Sequence, residues 1–369
     1  MFDDFNKKLA KLVVNYSVRV QKGHTVMITG GIDSADLVRE INIECIKAGG
    51  HVVNTNLAIP GTAELFFKHA QEHQLNYANP FAIDMIKKID KYINVFSSTN
   101  RKALANVDSA KQMQAREANK EMTKVYFERS ASGELDWVIC PYPSPAFAQE
   151  ANMGTIEYKE FVYKALALDK PDPVAHWKSV KEEQDGIVNI LNTGKELRIV
   201  GEDTDLVLSI EGRGWINACG DKNLPDGEVF TSPVEDAVNG TIRFTYPGIF
   251  MGKEVEDIWL KFKDGKVVEY TASKGQELLE KVLEIENADI LGEVAIGTNY
   301  GIQKFTKNML FDEKMGGTVH LALGNGFAQI GSKNESAIHW DILKDMKSED
   351  SIIYLDEKEI YKAGKWLIP

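Results

Sequence analysis

The chain has 369 residues, 43% of them hydrophobic and 27% charged, which is an ordinary globular composition long enough for two domains with a core each. Its net charge of −12, with no Lys/Arg-rich block, argues against a nucleic-acid partner, because phosphate binding needs a positive footprint. Three separated cysteines, Cys45, Cys140 and Cys219, argue against a disulfide framework and against a CxxC thiolate site.

The first eighteen positions are amphipathic and carry early acids, unlike a signal peptide, and no stretch approaches a membrane span. The expectation is a soluble cytoplasmic protein with no membrane partner. Phe2, Phe5, Leu9, Leu12 and Tyr16 recur at spacings of three and four, predicting a first helix that ends near Gly23. A buried strand from Thr25 closes at Gly30 and Gly31. A helix capped by Asp33 or Ser34 then runs to about Ala48. Strands are predicted from His51, from Tyr92 and from Trp137, with a helix near Ala63–His73 and helical stretches between. This alternation predicts an α/β fold whose N-terminal domain holds an open, mostly parallel sheet.

Residues 146–193 read as helical, with a start at Asp172-Pro173 and a stop at Gly194. Beyond 194 the pattern changes to a mixed α+β domain rich in short strands. Strands are predicted near 197–200, 204–210, 241–246, 258–262 and 267–271, with a hairpin turn at Asp264-Gly265. A helix near 274–286 and a closing hairpin, 352–355 with 359–362, complete it. The domains are therefore expected as 1–194, a scaffold, and 195–369, a metal-binding catalytic half.

In the first half, Gly30-Gly31 could hold an anion on its amides, but GxGxxG and P-loop patterns are absent and a tight turn is the simpler reading. His24, His51, His69, His73 and His176 read as surface or packing residues; His69 and His73 share a helical spacing of four but lack an HExxH acid. In the second half, Glu228, Glu293, His320, His339 and Asp341 are ionisable groups set among glycines and apolar residues. Such burial is costly without a partner, and a divalent cation is a good partner for several carboxylates. His339 and Asp341 are two apart, so on a strand they project from one face. A mixed oxygen and nitrogen set suits Zn²⁺, Co²⁺ or Mn²⁺, and five groups can hold two ions if one carboxylate bridges.

Four ordered segments carry a family resemblance: 223–235 (NLPDGEVFTSPVE), 291–299 (LGEVAIGTN), 310–324 (LFDEKMGGTVHLALG) and 334–341 (NESAIHWD). Together with 137–146 (WVICPYPSPA) and 212–215 (GRGW), they make the chain resemble the thermophilic metallo-aminopeptidase family, also called the aminopeptidase T/S, PepS-like or leucyl aminopeptidase family. The resemblance implies a homodimeric hydrolase with two metal ions, releasing N-terminal residues, broadly apolar ones, from peptides with a free N-terminus. It places the family's metal positions on Glu228, Glu293, His320, His339 and Asp341. A carboxylate, Glu228 or Glu293, would carry the proton from water to the leaving amine.

The chain departs from the family at Phe327, where a tyrosine is common, and its interval from His320 to His339 looks short. A phenyl ring cannot donate to an oxyanion; Tyr300 and Tyr246 are candidate stand-ins. Two alternatives follow: a catalytically weak or inactive homologue that binds metal and peptide, and a two-metal phosphoesterase, for which Arg213, Lys222 and Lys333 would be the phosphate clamps.

Overall fold

The computed structural model describes residues 4–368. It divides into two compact units, Met1–His176 with Gly220–Leu224, and Trp177–Cys219 with Pro225–Pro369. The division falls near the start of helix Pro173–Leu191 rather than at its end near 194, so most of that helix goes with the second unit.

In the first unit, Phe5, Leu9, Leu12 and Tyr16 form the expected buried stripe on helix Phe5–Leu12 and the wider turn Val13–Ser17. Phe2, expected in the same stripe, lies outside the described residues. Strands Thr25–Gly31, His51–Ala58, Lys91–Phe96 and Asp136–Pro141 make a four-stranded parallel sheet, with the first strand between the second and third. The predicted helix over 63–73 is two helices, Thr62–His69 and Glu72–Leu75, because the chain is extended at Ala70 and Gln71. His69 and His73 therefore sit on separate elements, both exposed. The Gly31 amide donates to Ser97 Oγ at 3.1 Å, just past the neighbouring strand Lys91–Phe96, so it is already satisfied.

The second unit holds two larger antiparallel sheets. The eight-stranded one runs, in spatial order, through Lys266–Thr271, Trp259–Lys263, Val238–Arg243, Thr204–Ser209, Glu196–Gly201, Ile352–Leu355, Lys358–Lys362 and Lys365–Trp366. Asp264 and Gly265 both have positive φ, 49° and 82°, which is the hairpin geometry their sequence calls for. The five-stranded sheet runs through His339–Asp345, Thr318–Gly324, Leu291–Gly297, Glu228–Thr231 and Ile216–Ala218. Short Ile216–Ala218 carries no clear alternation, and it escapes a reading by periodicity.

One core joins the two sheets. Leu197, Leu206, Ile242 and Leu260 come from the large sheet; Val229, Val294, Ile296, Val319, Leu321, Leu323, Trp340 and Ile342 come from the small one. Side chains alternate across a strand. The complementary positions of the small sheet, which include 228, 295, 320, 322, 339 and 341, therefore share the opposite face. The strands at 291–297 and 318–324 are buried along their whole length, so that opposite face is also covered.

Gln184, on helix Pro173–Leu191 and 2% exposed, ties the Glu228 strand in place. Its amide nitrogen donates to the carbonyls of Ala218 (3.0 Å) and Glu228 (2.9 Å) and to Asn217 Oδ1 (2.7 Å), while its oxygen accepts from Thr298 Oγ1 (2.9 Å). Replacing it by leucine strands several buried polar groups, each costing about 1–3 kcal/mol. Gln184→Leu is therefore expected to lower stability by at least about 2 kcal/mol in urea or guanidinium unfolding; a loss under about 0.5 kcal/mol would contradict this clamp.

Candidate metal centre

The strand register assembles the five candidate residues. Glu293 pairs with Ala322, and Ala322 with Asp341, forming one row across three strands. Ala295 pairs with His320 in the next row, and Gly297 pairs with Glu228. Small residues thus separate the ionisable ones, which leaves room between their side chains.

Glu293 reaches this face through a bulge. Leu291 pairs with Leu323 in the core, and a register shift at Gly292 turns Glu293 to the other side. Residue 292 has to be glycine: a Cβ there would lie 2.2 Å from the Asn325 carbonyl oxygen. That same carbonyl accepts from His339 Nδ1 at 2.8 Å. A carbonyl can only accept, so Nδ1 carries the proton and Nε2 faces the carboxylates.

His339 Nε2 is 2.9 Å from Glu293 Oε2 and 3.3 Å from Asp341 Oδ1. His320 Nε2 is 3.5 Å from Glu228 Oε2 and 3.7 Å from Glu293 Oε1. Glu293 therefore lies between both imidazoles. Ligand atoms of Glu293, His339 and Asp341 all lie within 4.8 Å of one another. Glu228, Glu293 and His320 are 5%, 4% and 1% exposed, respectively. Glu228 Oε2, His320 Nδ1 and Asp341 Oδ1 are buried with no hydrogen-bond partner. Buried atoms of this kind are costly unless a further group meets them.

The electrostatics follow from crowding. Burial alone would push the His320 imidazole down, but Glu293 and Glu228 outweigh it and raise its pKa to about 9. His339 is raised to about 11, against burial, by Asp341 and Glu293. Against the upward push of burial, His339 and His320 hold Asp341 down at about 2, and the same two imidazoles lower Glu293. Glu228 moves the other way: burial raises it more than Lys314 and His320 lower it. The donors fit a divalent transition metal: two imidazoles, that of His339 oriented by an outer hydrogen bond, mixed with carboxylates, in a space too crowded with negative charge to stay uncompensated. Among the described residues, Glu293, His339 and Asp341 offer the compact set of atoms, with Glu228 and His320 beside them.

Residues that sequence reasoning missed complete the surroundings. Lys314, 1% exposed, donates to Glu228 Oε1 at 2.9 Å and also to Glu313. A lysine inside a glycine-rich loop reads as a solvated charge, so nothing local signalled it. The ring of Phe327 packs on Phe230, with centroids 4.9 Å apart, and stands edge-on to His339 at 5.4 Å. The tyrosines considered as stand-ins are engaged: Tyr300 donates to the Gly364 carbonyl at 2.8 Å, and Tyr246 to Asp345 at 3.3 Å. Of the phosphate clamps considered, Arg213 pairs with Glu235 at 2.5 Å and Lys222 with Asp136 at 3.4 Å.

A family model described as thermophilic metalloprotease (M29) matches residues 2–366. Aminopeptidase AmpS of Bacillus subtilis is 27% identical over 409 residues, covering 99% of this chain and 99% of that one. Aminopeptidase 2 of Geobacillus stearothermophilus is 26% identical over 375 residues, covering 95% of this chain and 90% of that protein. The structure of wild-type AmpT from Thermus thermophilus superposes with a TM-score of 0.84 at 25% identity, covering all of both chains.

Two outcomes are expected. Gly292→Ala should displace Asn325, and with it the hydrogen bond that orients His339, so that divalent-ion affinity falls by about 10–100-fold, as for other lost partners of ligating histidines; titration calorimetry that finds unchanged affinity would contradict the role given to the bulge. The raised imidazoles also have a sign. Their contribution to metal-free stability is complete below their ordinary value of 6.5 and is lost as pH rises through about 9 and about 11. Both rings are protonated at pH 7, so ion binding there should release protons, and apparent affinity should climb with pH toward 9. Calorimetry in buffers of different ionisation enthalpy reads the proton count directly; no release at pH 7 would refute it.

Proposed function

The chain belongs to the thermophilic metalloprotease (M29) family, and from that membership we propose that it is a metal-dependent aminopeptidase, releasing N-terminal residues, broadly apolar ones, from peptides. The observation that carries this reading is the convergence of Glu293, His339 and Asp341 within 4.8 Å, on a face that also holds His320 and Glu228. Zn²⁺, Co²⁺ or Mn²⁺ suits that donor set. With Glu293 as the bridge, five ligands are enough for two ions; the Glu228 end, however, already holds the Lys314 ammonium. A bound divalent ion would supply an acidified water and a Lewis acid for the scissile carbonyl.

The chain's own residues have separable tasks in this reading. Asn325 sets the His339 tautomer. Glu293 holds the middle of the centre between both imidazoles. Glu228 has one oxygen on Lys314 and the other without a hydrogen-bond partner. In this reading that second oxygen accepts the water's proton and passes it to the leaving amine. Burial raises the Glu228 carboxyl, which matches it to proton transfer nearer neutral pH. Phe230 and Phe327 supply an apolar wall beside His339, suited to an apolar N-terminal side chain.

The family resemblance also supports a homodimer, and the sparse, separated cysteines support a cytoplasmic setting. The test is hydrolysis of leucyl-anilide substrates by chelator-stripped protein after addition of Co²⁺, Zn²⁺ or Mn²⁺. Activity should return with at least one of them, and Glu228→Gln should lower kcat by about 10²–10⁴-fold while ion binding persists. If none of the three ions restores turnover, the aminopeptidase reading is wrong.

A further inference from the structure

Among the described residues, Lys314 is the one lysine or arginine whose side chain is hydrogen-bonded to any of the five candidate residues. It is 1% exposed, and its ammonium lies 2.9 Å from Glu228 Oε1 with Glu313 as a second partner. Its backbone is fixed on both sides. The Lys314 carbonyl accepts from the Asn299 amide at 3.0 Å. Ahead of it, Asp312 Oδ1 accepts from the Thr306 amide at 2.7 Å and from Thr306 Oγ1 at 2.8 Å. Behind it, the Met315 carbonyl oxygen approaches Gly297 so closely that a Cβ there would lie 2.1 Å away. Gly297 is the strand partner of Glu228, so this close approach brings the lysine to that carboxylate. The ammonium therefore has no route to solvent without moving this segment.

The compact ligand atoms lie at the other end of the centre, on Glu293, His339 and Asp341. We infer that the Lys314 ammonium stands in the place of a second metal ion, so that the centre takes a single divalent ion at Glu293, His339 and Asp341. The inference rests on the metal reading above and replaces its two-ion arrangement. A dication on Glu228 would share a buried carboxylate with a fixed ammonium, and like charges at that range inside a protein repel strongly. An ammonium there also accounts for a carboxylate buried without an ion: Glu228 keeps a cation on Oε1 whether or not metal is present. Unlike an ion, that cation cannot be removed by a chelator, so Glu228 stays in place in the metal-free protein.

The experiment counts ions. Full-length protein is loaded with excess Zn²⁺ or Mn²⁺, passed through gel filtration, and read by native mass spectrometry and elemental analysis. The expected result is about one ion per chain for the wild type and about two for Lys314→Met, since removing the ammonium opens the second place. Lys314→Gln, which can keep the hydrogen bond to Glu228 without the charge, serves the same purpose if the methionine variant does not fold. About two ions in the wild type would overturn the inference and leave the metal reading standing. About one ion in both wild type and a folded variant would overturn the role given to Lys314. No retained ion in any form would remove the metal reading and this inference with it.

Discussion

Negative charge buried on one face of a β-sheet is the constraint around which this chain is organised. Glu228 and Glu293 are nearly inaccessible, Asp341 keeps a side-chain exposure of 13%, and Glu313 stands next to them through Lys314. Isolated carboxylates cannot be kept ionised in such a place. The protein answers with three kinds of positive partner: a permanent ammonium on Glu228, two imidazoles whose protons are held far above their ordinary value, and a set of ligand atoms that a divalent ion would bridge. The first is built in, whereas the second and third compete. Each ion that enters must expel imidazole protons, which couples metal occupancy to pH.

Holding this charge requires a rigid frame, and the frame is the core on the sheet's other face. Val294 and Ile296, Val319 and Leu321, Trp340 and Ile342 lock the register of three strands by burial. A slip by one residue would move every one of them out of the core and turn Glu293, His320 and Asp341 inward. The hydrophobic pattern that makes the fold is therefore the same pattern that aims the ligands. Gln184 and Gly292 act where that pattern does not suffice: Gln184 fastens the short Glu228 strand, which has few core residues of its own, and Gly292 permits the bulge that reverses the facing of Glu293.

This explains what could be read from the sequence. The parallel sheet of the first unit shows itself in alternating strands and helices with glycine stops, and the hairpin of strands 259–263 and 266–271 in its turn residues Asp264-Gly265. Glu228, Glu293, His320, His339 and Asp341 stand out because each is ionisable inside an apolar, glycine-flanked segment. Lys314 was not legible, because Glu-Lys in a loop is common on surfaces and its burial depends on a close backbone approach at Gly297 across the sheet. The orienting role of Asn325 was hidden for a related reason: its carbonyl does the work, and a carbonyl leaves no mark on residue identity. The break between Thr62–His69 and Glu72–Leu75 was missed because Ala70 and Gln71 are acceptable helix residues, and only their extended backbone separates the two helices.

Phe327 bears on catalysis in a way that the geometry narrows. A phenol could donate a hydrogen bond; the phenyl ring instead packs at a tilt against Phe230 and lies at a steep angle to the His339 imidazole. Neither Tyr300 nor Tyr246 makes up for it, since their hydroxyls are committed to Gly364 and Asp345. Losing one oxyanion donor costs on the order of 10²–10³ in rate when nothing replaces it. What a loaded centre would offer in place of a neutral donor is the positive charge of a divalent ion, since Lys314 is committed to Glu228 and Glu313. A charged partner stabilises a developing oxyanion more strongly than a neutral hydroxyl does, so the absence of the phenol does not by itself argue for an inert centre. Its apolar replacement trades a hydrogen bond for a drier wall, and inside a drier site each remaining charge interacts more strongly.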